Sequence, residues 1–197
     1  MQAVGGPPSR SRRNQSSLRP DSAPLAGPEL ARNLLIRRAT LDDVVPMGTL
    51  WLRAALVGYE GIFPPEAPKP TATELTERWH QAIARGPSAT AALVACHGPR
   101  DALVGTVAAE FDRGGPYTAQ VGRLYVDPDH WGCGIGRRLH DNVLEQLRAG
   151  GHAVVALWVL EANARARSMY ERWGWRSTPD RHTVYPGVDE IRYLRDL

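Results

Sequence analysis

At 197 residues the chain is long enough for one domain with a buried core, and 43% hydrophobic with 23% charged residues is a globular balance, not a disordered or fibrous one. No apolar run reaches membrane-spanning length and no hydrophobic leader opens the chain, so a cytoplasmic protein is expected. Cys96 and Cys133 stand far apart and outside metal-ligand spacing, which argues against a disulfide framework and a structural metal.

The net charge of +3 has one source. Residues 1–32 carry Arg10, Arg12, Arg13, Arg19 and Arg32 against Asp21 and Glu29, while the acids and bases of residues 33–197 balance. That first stretch is rich in Gly, Pro, Ser and Arg, buries too little apolar surface to offset its ordering entropy, and is expected to be a disordered tail. The folded domain is expected over 33–197.

Leu34–Arg38 reads as a first strand. Thr40 with Asp43 offers a capping box ahead of Val44, Met47, Leu50, Trp51 and Ala54 at helical spacing, with Gly58 as the stop. A Pro-rich loop follows through Pro70. Thr71 with Glu74 opens a second helix, whose Leu75, Trp79, Ala82 and Ile83 share a face. Ala89–Cys96 and Ala102–Phe111 read as strands. A turn at Gly114–Pro116 precedes a third, Thr118–Val126.

Next come three alternate glycines and an amphipathic helix bearing Ile135, Leu139, Val143, Leu144 and Leu147. Ala153–Leu160 is a continuous apolar run, the pattern of a strand covered on both faces. Asn163 caps a fourth helix with Ala166, Met169, Tyr170 and Trp173 at i, i+3, i+4 and i+7. Trp175–Thr178 and Glu190–Leu194 read as closing strands. This order predicts a mixed α/β sheet of about seven strands flanked by about four helices, with the two strands around the glycine helix parallel.

Gly132, Gly134 and Gly136 leave the backbone bare where a helix begins, so phosphate can approach its unpaired N–H groups and positive dipole end. The spacing is not G-x-G-x-x-G, and no acid stands about 20 residues on, as a dinucleotide fold requires. A P-loop needs a lysine here, and Lys69 is the only lysine in the chain.

Trp131-Gly-Cys-Gly-Ile-Gly136, preceded by Leu124-Tyr-Val-Asp-Pro128, resembles the acetyl-CoA-binding motif of the GNAT superfamily of N-acyltransferases, Q/R-x-x-G-x-G/A after an apolar strand ending in V-x-P. Asn163-x-x-Ala166-x-x-x-Tyr170-x-x-x-Gly174-Trp175 is similar to the family's second signature, N-x-x-A-x-x-x-Y-x-x-x-G-F. Trp131 stands where the family has Gln or Arg, and Trp175 replaces Phe.

The resemblance implies the GNAT fold with a splayed sheet, acetyl-CoA as co-substrate, and transfer of its acetyl group to a primary amine by direct attack on the thioester. The N–H groups of Trp131, Gly132, Cys133, Gly134, Ile135, Gly136 and Arg137 would surround the pyrophosphate. Main-chain groups of Leu124, Tyr125 and Val126 would pair with the pantetheine arm, and Asn163 would approach it. Tyr170 is the implied general acid toward sulfur, against the plainer role of a buried helix tyrosine. Glu110 is the first candidate for the base and Glu60 the second, with a water relay as the alternative to both. Tyr59, Glu60, Phe63, Trp79 and the segment Asp180–Tyr185 are expected to form the acceptor pocket, with His182 a loop histidine.

The acceptor is expected to be a small-molecule or peptide amine, with no nucleic acid or membrane partner; family analogy allows a homodimer. Two rival readings compete. One is a catalytically silent acyl-CoA-binding regulatory module, against which Tyr170 argues. The other is a nucleic-acid binder led by the arginine tail, which a charge-balanced domain disfavours.

Overall fold

Two capping boxes set the start of the helical layer on one face of the sheet. In the computed structural model, which describes residues 34–98, 102–111 and 118–197, Thr71 Oγ1 accepts from the Glu74 N–H at 3.2 Å while the Glu74 carboxylate accepts from the Thr71 N–H at 2.7 Å. At the earlier box the Asp43 carboxylate accepts from the Thr40 N–H at 2.8 Å and takes both Arg37 guanidinium nitrogens at 2.7 and 2.8 Å. The Arg37 hydrogen bond holds the Asp43 carboxyl below the usual carboxylate range. The expected tail and the turn at Gly114–Pro116 lie outside the described residues.

The elements run β1 (Leu35–Arg38), α1 (Val44–Gly58), α2 (Ala72–Ala84), β2 (Thr90–His97), β3 (Ala102–Phe111), β4 (Ala119–Val126), α3 (Ile135–Ala149), β5 (Val154–Leu160), α4 (Ala164–Arg172), β6 (Arg176–Tyr185) and β7 (Val188–Asp196). The strands form one sheet in the order β1-β2-β3-β4-β5-β7-β6, antiparallel except for β4 beside β5. The mixed sheet and its parallel pair are as the sequence predicts. Among the described residues no helix is long and apolar enough to cross a membrane.

Strand alternation divides the side chains between two cores. On one face, Ile135, Leu139, Val143 and Leu147 of α3 pack on Leu93, Val107, Val155, Leu157 and Tyr193. On the other, Met47 of α1 and Trp79 of α2 pack on Val94, Cys96 and Ala108.

Three sequence expectations need correction here. β6 runs to Tyr185, so Asp180–Tyr185 is a strand and His182 is not in a loop. Pro179 and the charges after it read as a loop, but β6 is an edge strand whose pairing is irregular between Ser177 and Arg181, where proline is tolerated. β7 likewise extends beyond Glu190–Leu194 at both ends. β5 is not covered on both faces throughout, because Trp158 is half-buried at the cavity described below.

α3 carries a buried histidine with a defined tautomer. The Trp175 indole N–H donates to His140 Nε2 at 2.9 Å, so the neutral ring carries its proton on Nδ1, which lies 2.9 Å from Asp141 Oδ1. Burial lowers the pKa of His140 to about 4, with Asp141 opposing. The folded state therefore binds the proton more weakly than the unfolded chain, and stability present above pH 6.5 is lost as pH falls toward 4. The expected loss by pH 4 is about 3 kcal/mol, read by urea denaturation across that window, with a flatter slope in His140→Phe. An unchanged slope in the variant would assign the acid sensitivity to other groups.

Candidate active site

The sheet is split where β4 meets β5. A single residue pair, Gln120 with Ala156, joins these parallel strands before they diverge. The cause lies in β4. The β3–β4 register slips between Thr106 and Ala108, and opposite that slip Arg123 has φ +52, the one non-glycine residue with positive φ among those described. This is a β-bulge, which bends a strand and ends its regular pairing.

A left-handed arginine costs roughly 1–2 kcal/mol of backbone strain, so other contacts must hold it. The Glu110 carboxylate pairs with the Arg123 guanidinium, which also sits 5.4 Å from the Trp79 ring centroid and 6.0 Å from that of Trp51. Thr106 Oγ1 donates to the Arg123 carbonyl at 3.3 Å. Arg123→Val is expected to lower stability by about 1–2 kcal/mol more than Arg123→Gly, since only glycine takes this conformation freely. Equal unfolding midpoints in urea would contradict the bulge as a strained element.

Beyond the split lies a cavity of about 790 Å³. One end is the start of α3. Gly132 and Gly134 both have φ +81, and Gly134 is the helix N-cap. Positive-φ glycines before a helix N-terminus are the backbone geometry from which a main-chain anion nest is built. The preceding turn is anchored by Asp127, which accepts from Arg53 of α1 at 2.7 Å.

Trp131 lines the same cavity. Its indole N–H donates to the Val126 carbonyl at 2.7 Å, and the Arg165 guanidinium stacks 4.0 Å from its ring centroid. Arg137 also lines this end, with its Nε 2.6 Å from Asp141 Oδ2.

Three phenols also line the cavity. Tyr59 and Tyr125 hydroxyls lie 3.2 Å apart, and Tyr125 stacks on Trp51 with centroids 5.2 Å apart. Tyr170 projects from α4, edge-on to Trp173 and Trp175. Burial pushes Tyr59, Tyr125 and Tyr170 above the ordinary phenol range, so all three keep their protons at neutral pH. Asn163 Oδ1 accepts from the Ala166 N–H at 3.0 Å, capping α4 at the cavity wall.

The expected residues thus divide. Leu124, Tyr125, Val126 and Trp131 line the cavity, as do Gly132, Gly134, Ile135, Gly136 and Arg137, with Asn163, Tyr170 and Tyr59. Cys133 packs against the α3-side core instead, its Sγ 3.8 Å from the Trp131 carbonyl, leaving only its main chain to the loop.

Glu110, Glu60, Phe63 and Trp79 do not line the cavity. Glu110 is engaged by Arg123 and lies 3.5 Å from Arg85, near the far end of β3. Trp79 is fully buried because its helix face packs on the sheet, so it cannot meet an acceptor. Glu60 is exposed in the turn after α1, and Phe63 packs on Tyr59 with centroids 6.1 Å apart.

Sequence reasoning missed Arg165, Arg172, Trp158 and Glu190, all at the cavity. The i, i+7 spacing of the two arginines places them on one helix face and could have revealed them. Nothing local marks Trp158 or Glu190, which reach the site through strand pairing.

The sheet is split at a bulge, and positive-φ glycines at a helix N-terminus and the Tyr170 phenol line the cavity beside the split. The chain belongs to the GNAT acetyltransferase family, whose model matches residues 56–175. It is 47% identical over 58 residues to mycothiol acetyltransferase of Beutenbergia cavernae, a match covering 29% of this chain and 20% of that one. It is 34% identical over 71 residues to the [ribosomal protein bS18]-alanine N-acetyltransferase of Escherichia coli K12, covering 36% and 48%. The matches thus span less than half the length of either relative. Among solved structures, the PaiA N-acetyltransferase of Thermoplasma acidophilum in complex with coenzyme A superposes with a TM-score of 0.71 at 18% identity, over 83% of this chain and 99% of that one.

Proposed function

We propose that the protein is an acetyl-CoA-dependent N-acetyltransferase acting on a primary amine. The observation that carries this reading is that the glycine nest and the Tyr170 phenol open on the same cavity, at the fork of a split sheet, in a GNAT family chain. The related enzymes named above are acetyltransferases, and the Thermoplasma protein holds coenzyme A.

The nest suits a diphosphate, because positive-φ glycines and a helix N-terminus offer several N–H donors with no side chain between. Arg165 and Arg172 add positive charge to the cavity wall. The main chain of Leu124–Val126, freed from β5 by the bulge, offers its polar groups to an extended arm. Trp131 already occupies the Val126 carbonyl, so it must yield that acceptor or leave the arm to neighbouring groups.

Acetyl-CoA would supply an activated acyl carbon with a good leaving group, a thiolate of pKa about 8.5. Tyr170 would donate its O–H to the departing sulfur. Because burial raises this phenol, full transfer is uphill unless the proton is replaced. The proton shed by nitrogen as the amide forms can replace it, leaving Tyr170 unchanged after each cycle. The same proposal places the enzyme in the cytoplasm, with a small-molecule or peptide amine as acceptor; a homodimer is read by sedimentation. A thiol-release screen with acetyl-CoA against varied primary amines tests the activity. Coenzyme A binding without thiol release from any amine would reject it.

A further inference from the structure

Strand pairing brings one carboxylate to the cavity. Among the described residues Glu190 is the only carboxylate lining it, three-quarters buried with 25% of its side chain exposed. Its place follows from register. Gln120 pairs with Ala156; four residues further along the parallel strands come Leu124 on β4 and Leu160 on β5. Glu190 of β7 stands opposite Leu160, and His182 of β6 stands opposite Glu190. Glu190 is therefore level with Leu124–Val126 across the fork, about 13 Å beyond the last pair.

Alternation fixes the face. Ile191 and Tyr193 point into the α3-side core, so Glu190 points to the other side, toward Tyr59 at the end of α1. Glu190 Oε2 lies 3.3 Å from His182 Nε2, and the His182 ring packs edge-on against Trp158 with centroids 4.4 Å apart.

We infer that Glu190, backed by His182, is the catalytic base that receives the proton of an acceptor entering as an alkylammonium ion. This rests on the acetyl-transfer reading above and gives the role to a carboxylate that lines the cavity, as Glu110 does not. An ammonium N–H bond breaks, its electron pair stays on nitrogen and the proton goes to Glu190. That pair forms the bond to the acetyl carbon as the carbon–sulfur bond breaks, and the second nitrogen proton leaves with sulfur as thiol. The proton on Glu190 passes through His182, which is half exposed, to solvent. One proton is released per amide formed, so the step balances without any other reactant.

The surroundings suit this work. Burial raises the Glu190 carboxyl above its ordinary value, which makes it a stronger base when ionised, while His182 draws it down. From α1, Tyr59 faces it as a protonated phenol. Outside it lie two ion pairs, Arg192 with Asp180 at 3.6 Å and Arg181 with Glu161 at 3.0 Å. A carboxylate among phenols selects a cation over a neutral amine.

The test compares wild type, Glu190→Gln and Glu190→Asp with phenethylamine, putrescine and aniline between about pH 5 and 9. For the two alkylamines kcat/KM in Glu190→Gln is expected to fall about 100-fold, with partial recovery in Glu190→Asp, and to follow the neutral fraction of the amine, rising about tenfold per pH unit, in place of the limb that Glu190 is expected to set in wild type. Aniline, already neutral, should lose far less, and coenzyme A affinity should hold. Independently of turnover, carbon NMR of the glutamate carboxyls should show one group titrating above the ordinary range in wild type and absent from Glu190→Gln. Alkylamine turnover within about threefold of wild type, or an unchanged acid limb, overturns the base while leaving the acetyltransferase intact. Absence of thiol release in wild type overturns both.

Discussion

Gly134→Asp is expected to weaken coenzyme A binding at least 100-fold and to lower stability by about 1 kcal/mol. Aspartate is strained at this left-handed cap, but it enters the left-handed region more readily than most residues. The fold should therefore survive. A new negative charge would then stand in the loop proposed to hold the diphosphate; two like unit charges about 4 Å apart repel by about 4 kcal/mol at an effective dielectric near 20. Screening and rearrangement reduce it, and about 2.7 kcal/mol suffices for the stated loss. Gly134→Ala, which adds strain without charge, should lose much less. Calorimetric titration of both variants separates charge from shape, and an Asp variant binding as tightly as wild type would remove the nest from the account.

Tyr170→Phe is expected to lower kcat by about 10²–10⁴-fold while coenzyme A affinity stays within about twofold. The ring packs against Trp173 and Trp175, and phenylalanine keeps those edge-on contacts, so the cavity wall should hold its shape. Only the O–H is lost, and its proton is the one offered to sulfur. The buried phenol stays protonated through neutral pH, so the wild-type rate should show no alkaline fall from Tyr170 below about pH 10. Parallel losses in kcat and in affinity would make Tyr170 a packing residue.

How much of this could be read along the chain depended on how local each feature is. The glycine loop before α3, the caps at Thr71 and Asn163 and the helical position of Tyr170 are each written within one turn or one helix, and each stands where its spacing predicts. Trp79 shows the limit of periodicity. Its spacing marks a buried helical face, yet only the packed sheet decides that the face meets Val94 and Ala108 instead of an acceptor.

The two glutamates show a second limit. Glu110 lies on a strand beside the nest strand and reads as a neighbour of the chemistry, but its partner is the strained arginine that forms the bulge. Glu190 becomes visible only after β5, β7 and β6 are placed in register, which no local pattern in this sequence specifies. The proline and charges of β6 compounded this, since an edge strand tolerates what an inner strand forbids.

In the function proposed above, main-chain amides at the start of α3 hold the diphosphate of coenzyme A and so set its sulfur at the fork between β4 and β5. A crystal structure of the protein grown with coenzyme A tests it most directly. Diphosphate oxygens within hydrogen-bond distance of the amides of residues 132–137, with the arm lying along Leu124–Val126, is the predicted result. Coenzyme A bound with its diphosphate away from those amides would contradict it.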